Sequence, residues 1–526
     1  MKEEQLRYSV LDRPPWAECI LLGFQNYLTM LGSTVLIPFT LALNATVART
    51  VIGTIFFVSG VVTLVQTCFG DRLPIIQGGS FAYLTPAFAI IAQVKARGAW
   101  VDSADGTNHA RFLVTMRELQ GGIIASSLFI IFLGISGLLT AILRFITPIT
   151  VAVNIAIVGL SLYGSGFSGV GNCMQLGLPM IAAIVIFSQY LRKYSLPIPY
   201  VGRISCFELF PVKYCRTDQE SVLHTSPWFR FPYPLQWGAP TFAWSSTLTM
   251  LAGALSALVE SLGDWYAAAR ICGAPVPPPA VISRATTVQG VCCLLVGLWG
   301  SGNGSTAHNE NIGAMQITRV GSRLVIQVGA VIIMVFALIG KFGGLFASMP
   351  QAIVSGLFCV MFGIIAAVGI SQLQFTDNNS PRNSFIVGVG LYLGLSIPDC
   401  FAKYTAANGH GPVNTGSQGF NDIANSIFNT AAAVSLIVTL FLDNTIPGSE
   451  EERGLHVWLM QATQDWLEDE ALQQVYGLPF GISRTLGRWW RPHRDRATRC
   501  CIALAPRWSP KRAAHANPHP AFQDGV

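Results

Sequence analysis

Charged residues are scarce in this sequence. Only 11% of its 526 residues are Asp, Glu, Lys or Arg, whereas ordinary soluble domains carry about 25%. Hydrophobic residues make up 51% and gather in long runs separated by short polar stretches. This composition excludes an ordinary soluble domain. It predicts an all-α polytopic membrane protein, because backbone in lipid must satisfy its own hydrogen bonds.

Several chemical motifs are also missing. The sequence has no phosphate-binding loop, nucleophile triad or nucleic-acid motif, which argues against a pump, an enzyme and a nucleic-acid partner. Its 12 cysteines lie mostly in apolar runs without metal-ligand spacing, so we expect buried thiols, no structural metal and no cofactor. The polar start lacks a cleavable signal peptide, so the first span is expected to direct insertion.

The apolar runs divide the chain into five parts. Residues 1–15 form a polar lead, and residues 16–191 contain six apparent spans. A polar connector follows at 192–241, and seven further runs lie within 242–442. Residues 443–526 form a basic tail, in which Cys500 and Cys501 are palmitoylation candidates. The sequence therefore predicts about 13 spans.

Basic residues near span ends predict which loops are cytosolic. In the first half they are Arg72, Arg144, Arg192 and Lys193; in the second they are Arg270, Arg284, Arg319, Arg323 and Arg382. The two sets agree only if the chain crosses once within 192–241, which has no apolar run near 18 residues. One crossing is therefore missing, unless residues 205–241 cross irregularly against protein. Asn44, in a sequon, is then expected outside as a glycosylation candidate.

Polar residues break several spans. The third span opens with QGGSFAYLTP at 77–86, and residues 303–323 form a second glycine-rich polar break. Irregular backbone survives at bilayer depth only where it lines a cavity, so these breaks predict a binding site. Glu260 and Asp264 share one helix face, where each carboxylate costs about 2.5–3.5 kcal/mol. They predict a wet cavity or a bound cation; the alternative is a helix-end pair at an interface.

Four stretches resemble the nucleobase–ascorbate transporter family. They are LGFQNYLTMLGSTVLIP (22–38), GDRLPIIQGGSFAYLTPAFAI (70–90), ESLGDWYAAARICGAPVPPP (260–279) and LDNTIPGSEEERG (442–454), and residues 310–319 match the family signature. The resemblance implies 14 helices in two inverted seven-helix repeats, with a substrate-holding core and a gate that forms a homodimer. It also implies half-strand, half-helix segments at 75–94 and 304–318, and a multi-pass plasma-membrane protein with both termini in the cytosol.

The resemblance implies roles for individual residues in substrate binding. Phe81 would stack on the substrate ring, and Glu260 would accept hydrogen bonds from substrate N–H groups. Glu310 occupies the variable selectivity position. Asn311 and Gly313 would hold the geometry of the half-helix.

A polar network around the coupling ion is also implied. Asp264 and Thr318 match the family pattern there, and sodium is the coupling ion of the animal branch that the flanking sequence resembles. Two positions depart from the pattern. Asn26 follows Gln25 where the family has Gln-His, so a titratable imidazole is absent. Gln289 stands where the family has an acidic residue, which leaves one charge fewer near the ion path.

Glu310 distinguishes between substrate classes. Vitamin C transporters of the family have proline at this position, whereas Glu or Gln accompanies nucleobase transport. Two carboxylates, Glu260 and Glu310, suit the N–H donors of a neutral nucleobase and repel the ascorbate anion. The sequence therefore favours secondary-active, sodium-coupled import of the uracil, hypoxanthine and xanthine class; sodium-dependent ascorbate transport is the alternative.

A third departure falls in the connector. The family's seventh helix belongs where this chain has YCRTDQESVLHT at 214–225. This place coincides with the missing crossing and indicates a deletion of one gate helix. The later spans would then insert inverted, or one segment would fail to cross. A non-transporting splice isoform is therefore a further alternative.

Overall fold

In the computed structural model, the described residues are 6–41, 45–96, 109–142, 145–186, 190, 220–377, 379–408, 410–449, 452–454 and 470–479. Within them almost all regular structure is helical. The first half contains α1 (Trp16–Leu41), α2 (Ala45–Phe69), β1 (Gln77–Gly79), a 3-10 turn (Phe81–Tyr83), α3 (Leu84–Ala96), α4 (His109–Ser136), α5 (Leu138–Ile142), α6 (Pro148–Ser161), a 3-10 turn (Tyr163–Ser165), α7 (Phe167–Gly171) and α8 (Met174–Val185). The short α9 (Glu220–Thr225) follows.

The second half mirrors the pattern of long helices interrupted by one strand. It contains α10 (Trp244–Ile271), α11 (Pro279–Trp299), β2 (Ser305–Ala307), α12 (Asn309–Thr318), α13 (Arg323–Leu338), α14 (Gly340–Ala347), α15 (Gln351–Ser371), a 3-10 turn (Gln372–Phe375), α16 (Pro381–Asn408), α17 (Gln418–Phe428), α18 (Ala431–Thr445) and α19 (Glu470–Tyr476). Among the described residues, six helices are long and apolar enough to cross a membrane. The prediction of an all-α polytopic membrane protein is confirmed.

Helix α4 shows why some helices extend beyond their apolar runs. The apolar run begins at residue 120, but the helix begins at His109. The extra turns carry charged residues that find partners: Arg117 Nε donates to the Trp237 carbonyl over 2.7 Å, and Glu118 accepts from the Ser246 hydroxyl. Because those partners lie far along the chain, hydropathy alone could not place this helix start.

Aromatic packing joins α1, α2, α13 and α14. The rings of Tyr27 and Phe336 stack in parallel, with centroids 5.6 Å apart, and Phe342 lies 4.9 Å from Phe336. Phe56 meets Tyr27 edge-on at 5.9 Å. Such pairs add stability beyond the apolar area that they bury. This cluster therefore packs helices of the first half against helices of the second.

Basic residues from both halves meet at one end of the helices, called here the arginine end (Arg72, Arg284 and Arg323). Arg323 Nε donates to the Arg72 carbonyl over 2.7 Å, and Arg284 Nε donates to the Gly70 carbonyl over 3.0 Å. Among the described residues, the basic loops of the two halves therefore lie at the same end of the helices, and the expectation that the later spans insert the opposite way round is wrong for them. The connection at 191–219 lies outside the described residues.

Residues 223–241 run across the opposite end, where α11 and α13 finish. The Gln236 side chain donates to the Trp299 carbonyl over 2.7 Å, and the Trp237 indole donates to the Gly300 carbonyl over 2.6 Å. The Arg230 amide donates to the Leu338 carbonyl over 2.9 Å. These contacts hold the segment along the helix ends. The irregular crossing considered for 205–241 is therefore wrong for residues 223–241.

The polar lead and part of the tail pack on the arginine end. Tyr8 forms an isolated bridge with Val320. In α19, the Tyr476 hydroxyl donates to the Pro275 carbonyl, and Arg323 Nη2 donates to the Val475 carbonyl over 2.8 Å. The described parts of both terminal regions are thus bound to the transmembrane helices. The modification candidates Asn44, Cys500 and Cys501 lie outside the described residues.

Candidate substrate site

The two predicted breaks pair with each other as strands. β1 and β2 are antiparallel, with Gln77 opposite Ala307 and Gly79 opposite Ser305. The ends of β1 are also satisfied: the Gln77 amide donates to Thr63 Oγ1 over 2.9 Å, and the Ser80 amide donates to Asn303 Oδ1 over 3.2 Å. Every residue of the pair is buried. The strands thus satisfy one another's backbone groups at a depth where water cannot.

A helical segment starts directly after each strand. Phe81 opens the 3-10 turn that leads into α3, and Glu310 is the second residue of α12. Such starts present backbone N–H groups and the positive end of the helix dipole. The Phe81 ring is buried and meets Phe362 edge-on, with ring centroids 5.3 Å apart. The fold therefore brings an aromatic ring and an acidic side chain to two neighbouring helix starts.

Three carboxylates gather beside these starts. Glu260 and Asp264 lie on α10 and are buried, and Asp264 is close enough to Glu260 and Glu310 for both charges to act on it. Neither carboxylate oxygen of Asp264 has a hydrogen-bond partner among the described residues. A buried carboxylate in this state is costly unless a cation or a proton compensates it. The fold therefore concentrates buried negative charge beside the two helix starts.

Hydroxyl groups connect α10, α11 and β2. Ser261 Oγ lies 2.6 Å from Thr306 Oγ1, and the Gln289 amide donates to Ser261 Oγ over 2.8 Å. Thr306 also donates to the Ala257 carbonyl over 3.2 Å. The structure places Gln289 in a polar network with Ser261 and Thr306. Ser261 and Thr306 were missed, although Ser261 directly follows Glu260 and Thr306 lies in the polar break.

The polar pair of α1 divides between two environments. Asn26 is buried, and both its backbone and side-chain oxygens accept from the Asn311 amide, at 3.3 and 3.1 Å. Gln25 lies on an exposed side of the same helix. The structure therefore joins Asn26 to α12 through Asn311 and turns Gln25 away from that contact.

Two expected roles on α12 differ from the structure. A methyl group added at Gly313 would meet no atom within 4 Å, so packing does not require glycine there. Thr318 lies at the C-terminal end of α12, roughly 12 Å along the helix from Glu310, and its hydroxyl donates to the Ala314 carbonyl over 2.9 Å. Thr318 is thus the last residue of the helix, and among the described residues its hydroxyl bonds within α12 rather than to Asp264.

His308 is a further residue of this site that the sequence analysis missed. It stands between β2 and α12, it is buried, and its Nδ1 lies 3.4 Å from Oε2 of Glu310. The signal was available, since an ionisable side chain two residues before Glu310 falls inside the polar break.

Two strand-interrupted segments that meet among apolar helices, beside buried carboxylates, are typical of secondary transporters. A family model described as a permease family, Xan_ur_permease, matches residues 17–403. Nucleobase-ascorbate transporter 2 from Arabidopsis thaliana is 41% identical over 91% of this chain and 95% of its own. Human solute carrier family 23 member 2 is 38% identical over 90% and 80%. The chain belongs to the nucleobase–ascorbate transporter family, and it is a transporter rather than an enzyme.

A solved structure supports the fold. Murine Slc26a9, described as an anion transporter in the inward-facing state, aligns with a TM-score of 0.52 and 13% identity, over 73% of this chain and 66% of its own. The inverted-repeat fold is thereby confirmed. The alignment with the Arabidopsis relative is 509 positions long. Only 91% of the 526 residues of this chain take part in it, which is fewer than 509. The relative therefore carries internal residues that have no counterpart here.

Proposed function

We propose that this transporter imports neutral nucleobases of the uracil, hypoxanthine and xanthine class across the plasma membrane, by alternating access coupled to sodium. The core would move against the gate while the substrate sits between the two helix starts. As the family resemblance implies, we expect a homodimer with both termini in the cytosol.

The observation that carries the substrate class is the pairing of carboxylates with an aromatic ring. Glu310 is 10% exposed at the start of α12, and Glu260 is buried on α10 near the same Asp264. Carboxylate oxygens accept hydrogen bonds from the N–H groups of a neutral ring, and a flat ring packs well on Phe81. An ascorbate anion would meet three acidic side chains and is disfavoured.

Sodium coupling is supported by the oxygen atoms around Asp264. Both oxygens of that carboxylate and Oε1 of Gln289 are buried without hydrogen-bond partners among the described residues. Hard cations such as sodium prefer ligands of this kind. A cation held here would offset the charge of Asp264 and would link ion binding to the neighbouring substrate carboxylates.

Substitutions at Glu310 test the substrate class. Because Glu310 lies in the first turn of α12, proline can replace it without breaking a hydrogen bond within the helix. Glu310→Gln keeps an acceptor without the charge and should retain nucleobase uptake. Glu310→Pro should reduce uptake by about tenfold or more, the cost of about 1.4 kcal/mol of lost binding, and should raise ascorbate uptake relative to nucleobase. Equal nucleobase uptake by both variants at matched surface levels would contradict the proposal.

The second candidate is a non-transporting isoform. It is favoured by the connector at 192–241, which lacks an apolar run near 18 residues, and by the internal residues that the Arabidopsis relative carries in addition. Surface labelling separates the candidates: an isoform of this kind would stay inside the cell unless a full-length partner were co-expressed. Restoring an apolar helix within 192–219 should then recover uptake.

A further inference from the structure

The backbone of His308 is fixed from both sides of the site. Its amide donates to the Ile76 carbonyl over 3.0 Å, which extends the pairing of β1 with β2 by one residue. Its carbonyl accepts from the Asn311 amide over 3.2 Å, which begins the first turn of α12. The residue therefore sits at the junction of strand and helix with little freedom to move.

The imidazole lies between a carboxylate and a strand. Nδ1 is 3.4 Å from Glu310 Oε2, and the side chain is 4% exposed. Nε2 points at Gly78, where an added methyl group would be only 2.4 Å away. Nε2 has no hydrogen-bond partner among the described residues. The ring thus has one polar contact, and that contact is Glu310.

This geometry selects a form of the ring. An imidazolium would bury a second N–H group without an acceptor, which is expensive for a charged donor. A neutral ring that carries its proton on Nδ1 donates to Glu310 and leaves Nε2 as a bare acceptor. Asp264, on α10, is close enough to Glu310 for that charge to act on it, and Glu260 acts on the same Asp264. On the side of β1, the ring lies against Gly78, which does not titrate.

We propose that His308 is a positioning residue for substrate selection. Its Nδ1–H engages one carboxylate oxygen of Glu310 and fixes the direction in which the carboxylate accepts substrate N–H groups. The inference rests on the proposed function, because that function assigns Glu310 to accept hydrogen bonds from the substrate.

Three substitutions test this role through the position of the donor nitrogen. Asn at 308 places an amide nitrogen near the site of Nδ1, Gln places it near that of Nε2, and Ala removes it. His308→Asn should keep the KM for nucleobase uptake within about threefold of the wild type, whereas His308→Gln and His308→Ala should raise it by about tenfold or more. Surface levels are matched, and His410→Ala, at an exposed histidine outside the site, is the control.

A double-mutant cycle separates positioning from simple packing. In a Glu310→Pro background, which has no side-chain acceptor at position 310, His308→Ala should change KM by less than half as many fold as in the wild type. Equal effects in both backgrounds, or equal KM values for the Asn and Ala variants, would overturn the inference while leaving nucleobase transport intact. A wild-type chain that reaches the surface and takes up no nucleobase would overturn the proposed function, and the inference with it.

Discussion

The side-chain amide nitrogen of Asn311 donates to Asn26 Oδ1 over 3.1 Å and to the Asn26 backbone carbonyl over 3.3 Å, across 285 residues of sequence. The side-chain nitrogen of Asn26 in turn donates to the Leu22 carbonyl over 2.9 Å, within α1. One buried amide pair therefore ties the polar break of α1 to the half-helix α12. Both repeats contribute to this side of the site.

Removing one amide of this pair should destabilise the protein. Asn26→Ala leaves the buried Asn311 amide without its side-chain acceptor, at a cost of about 1–3 kcal/mol. We expect a lower midpoint of thermal unfolding for the detergent-solubilised protein and lower uptake. Leu28→Ala, at an exposed position two residues away on α1, is the control and should change neither. An Asn26→Ala midpoint equal to that of the control would refute the importance of the pair.

Two glycines of the site should respond differently to alanine. A methyl group at Gly78 would collide with His308 Nε2, at 2.4 Å, whereas one at Gly313 meets nothing within 4 Å. Gly78→Ala should displace the imidazole and raise the KM for uptake by about tenfold, as His308→Ala does. Gly313→Ala should fold like the wild type in thermal unfolding assays. The steric account fails if the two variants have the same KM and the same unfolding midpoint.

The docking of α19 should stabilise the arginine end. Tyr476 is fully buried and donates to the Pro275 carbonyl, so Tyr476→Ala should cost about 3–5 kcal/mol locally. Tyr476→Phe loses only the hydrogen bond and should cost about 1 kcal/mol. Glu470→Ala, at an exposed position of the same helix, serves as the control. Limited proteolysis should cleave the tail fastest in Tyr476→Ala; equal cleavage rates in all three variants would show that α19 does not dock.

Asp71 should make stability depend on pH. Burial raises the pKa of Asp71 to about 7 from 3.8, despite the Leu73 amide that donates to it and the charges of Arg323 and Arg284. The folded protein therefore holds a proton that the unfolded chain releases between these values. Unfolding then becomes easier as pH rises from about 4 to 7. Asp71→Asn should flatten the fall of the unfolding midpoint across this window; an unchanged slope would exclude Asp71 as its cause.

The sequence predicts the elements of the site better than their contacts. Glycines and polar residues at bilayer depth mark both breaks, because such backbone is tolerated only around a cavity. The pairing of the two breaks was not predictable from local pattern, since Ser80 and Asn303 are 223 residues apart. The packing of the His308 imidazole against Gly78 was not predictable for the same reason, because Gly78 lies on the other strand.

The basic residues illustrate a different limit. Their positions along the chain indicate that the basic loops of the two halves lie on opposite sides of the membrane. That prediction depends on every membrane crossing being visible in the sequence. In the structure Arg72 and Arg323 are in direct contact, so the halves agree. The sequence also did not predict which polar side chains of α1 are buried: Gln25 and Asn26 are neighbours in sequence, yet only Asn26 is buried. The rotation of α1 about its axis, set by packing against neighbouring helices, decides which of the two is buried. A single polar dipeptide does not specify that rotation.

The most direct test of the account is labelled uracil and hypoxanthine uptake by cells that express this chain. It should be run with and without sodium, with ascorbate in parallel and surface expression measured. The account predicts sodium-dependent uptake of nucleobase and little uptake of ascorbate. Ascorbate uptake that exceeds nucleobase uptake, or no nucleobase uptake by a chain present at the surface, would contradict it.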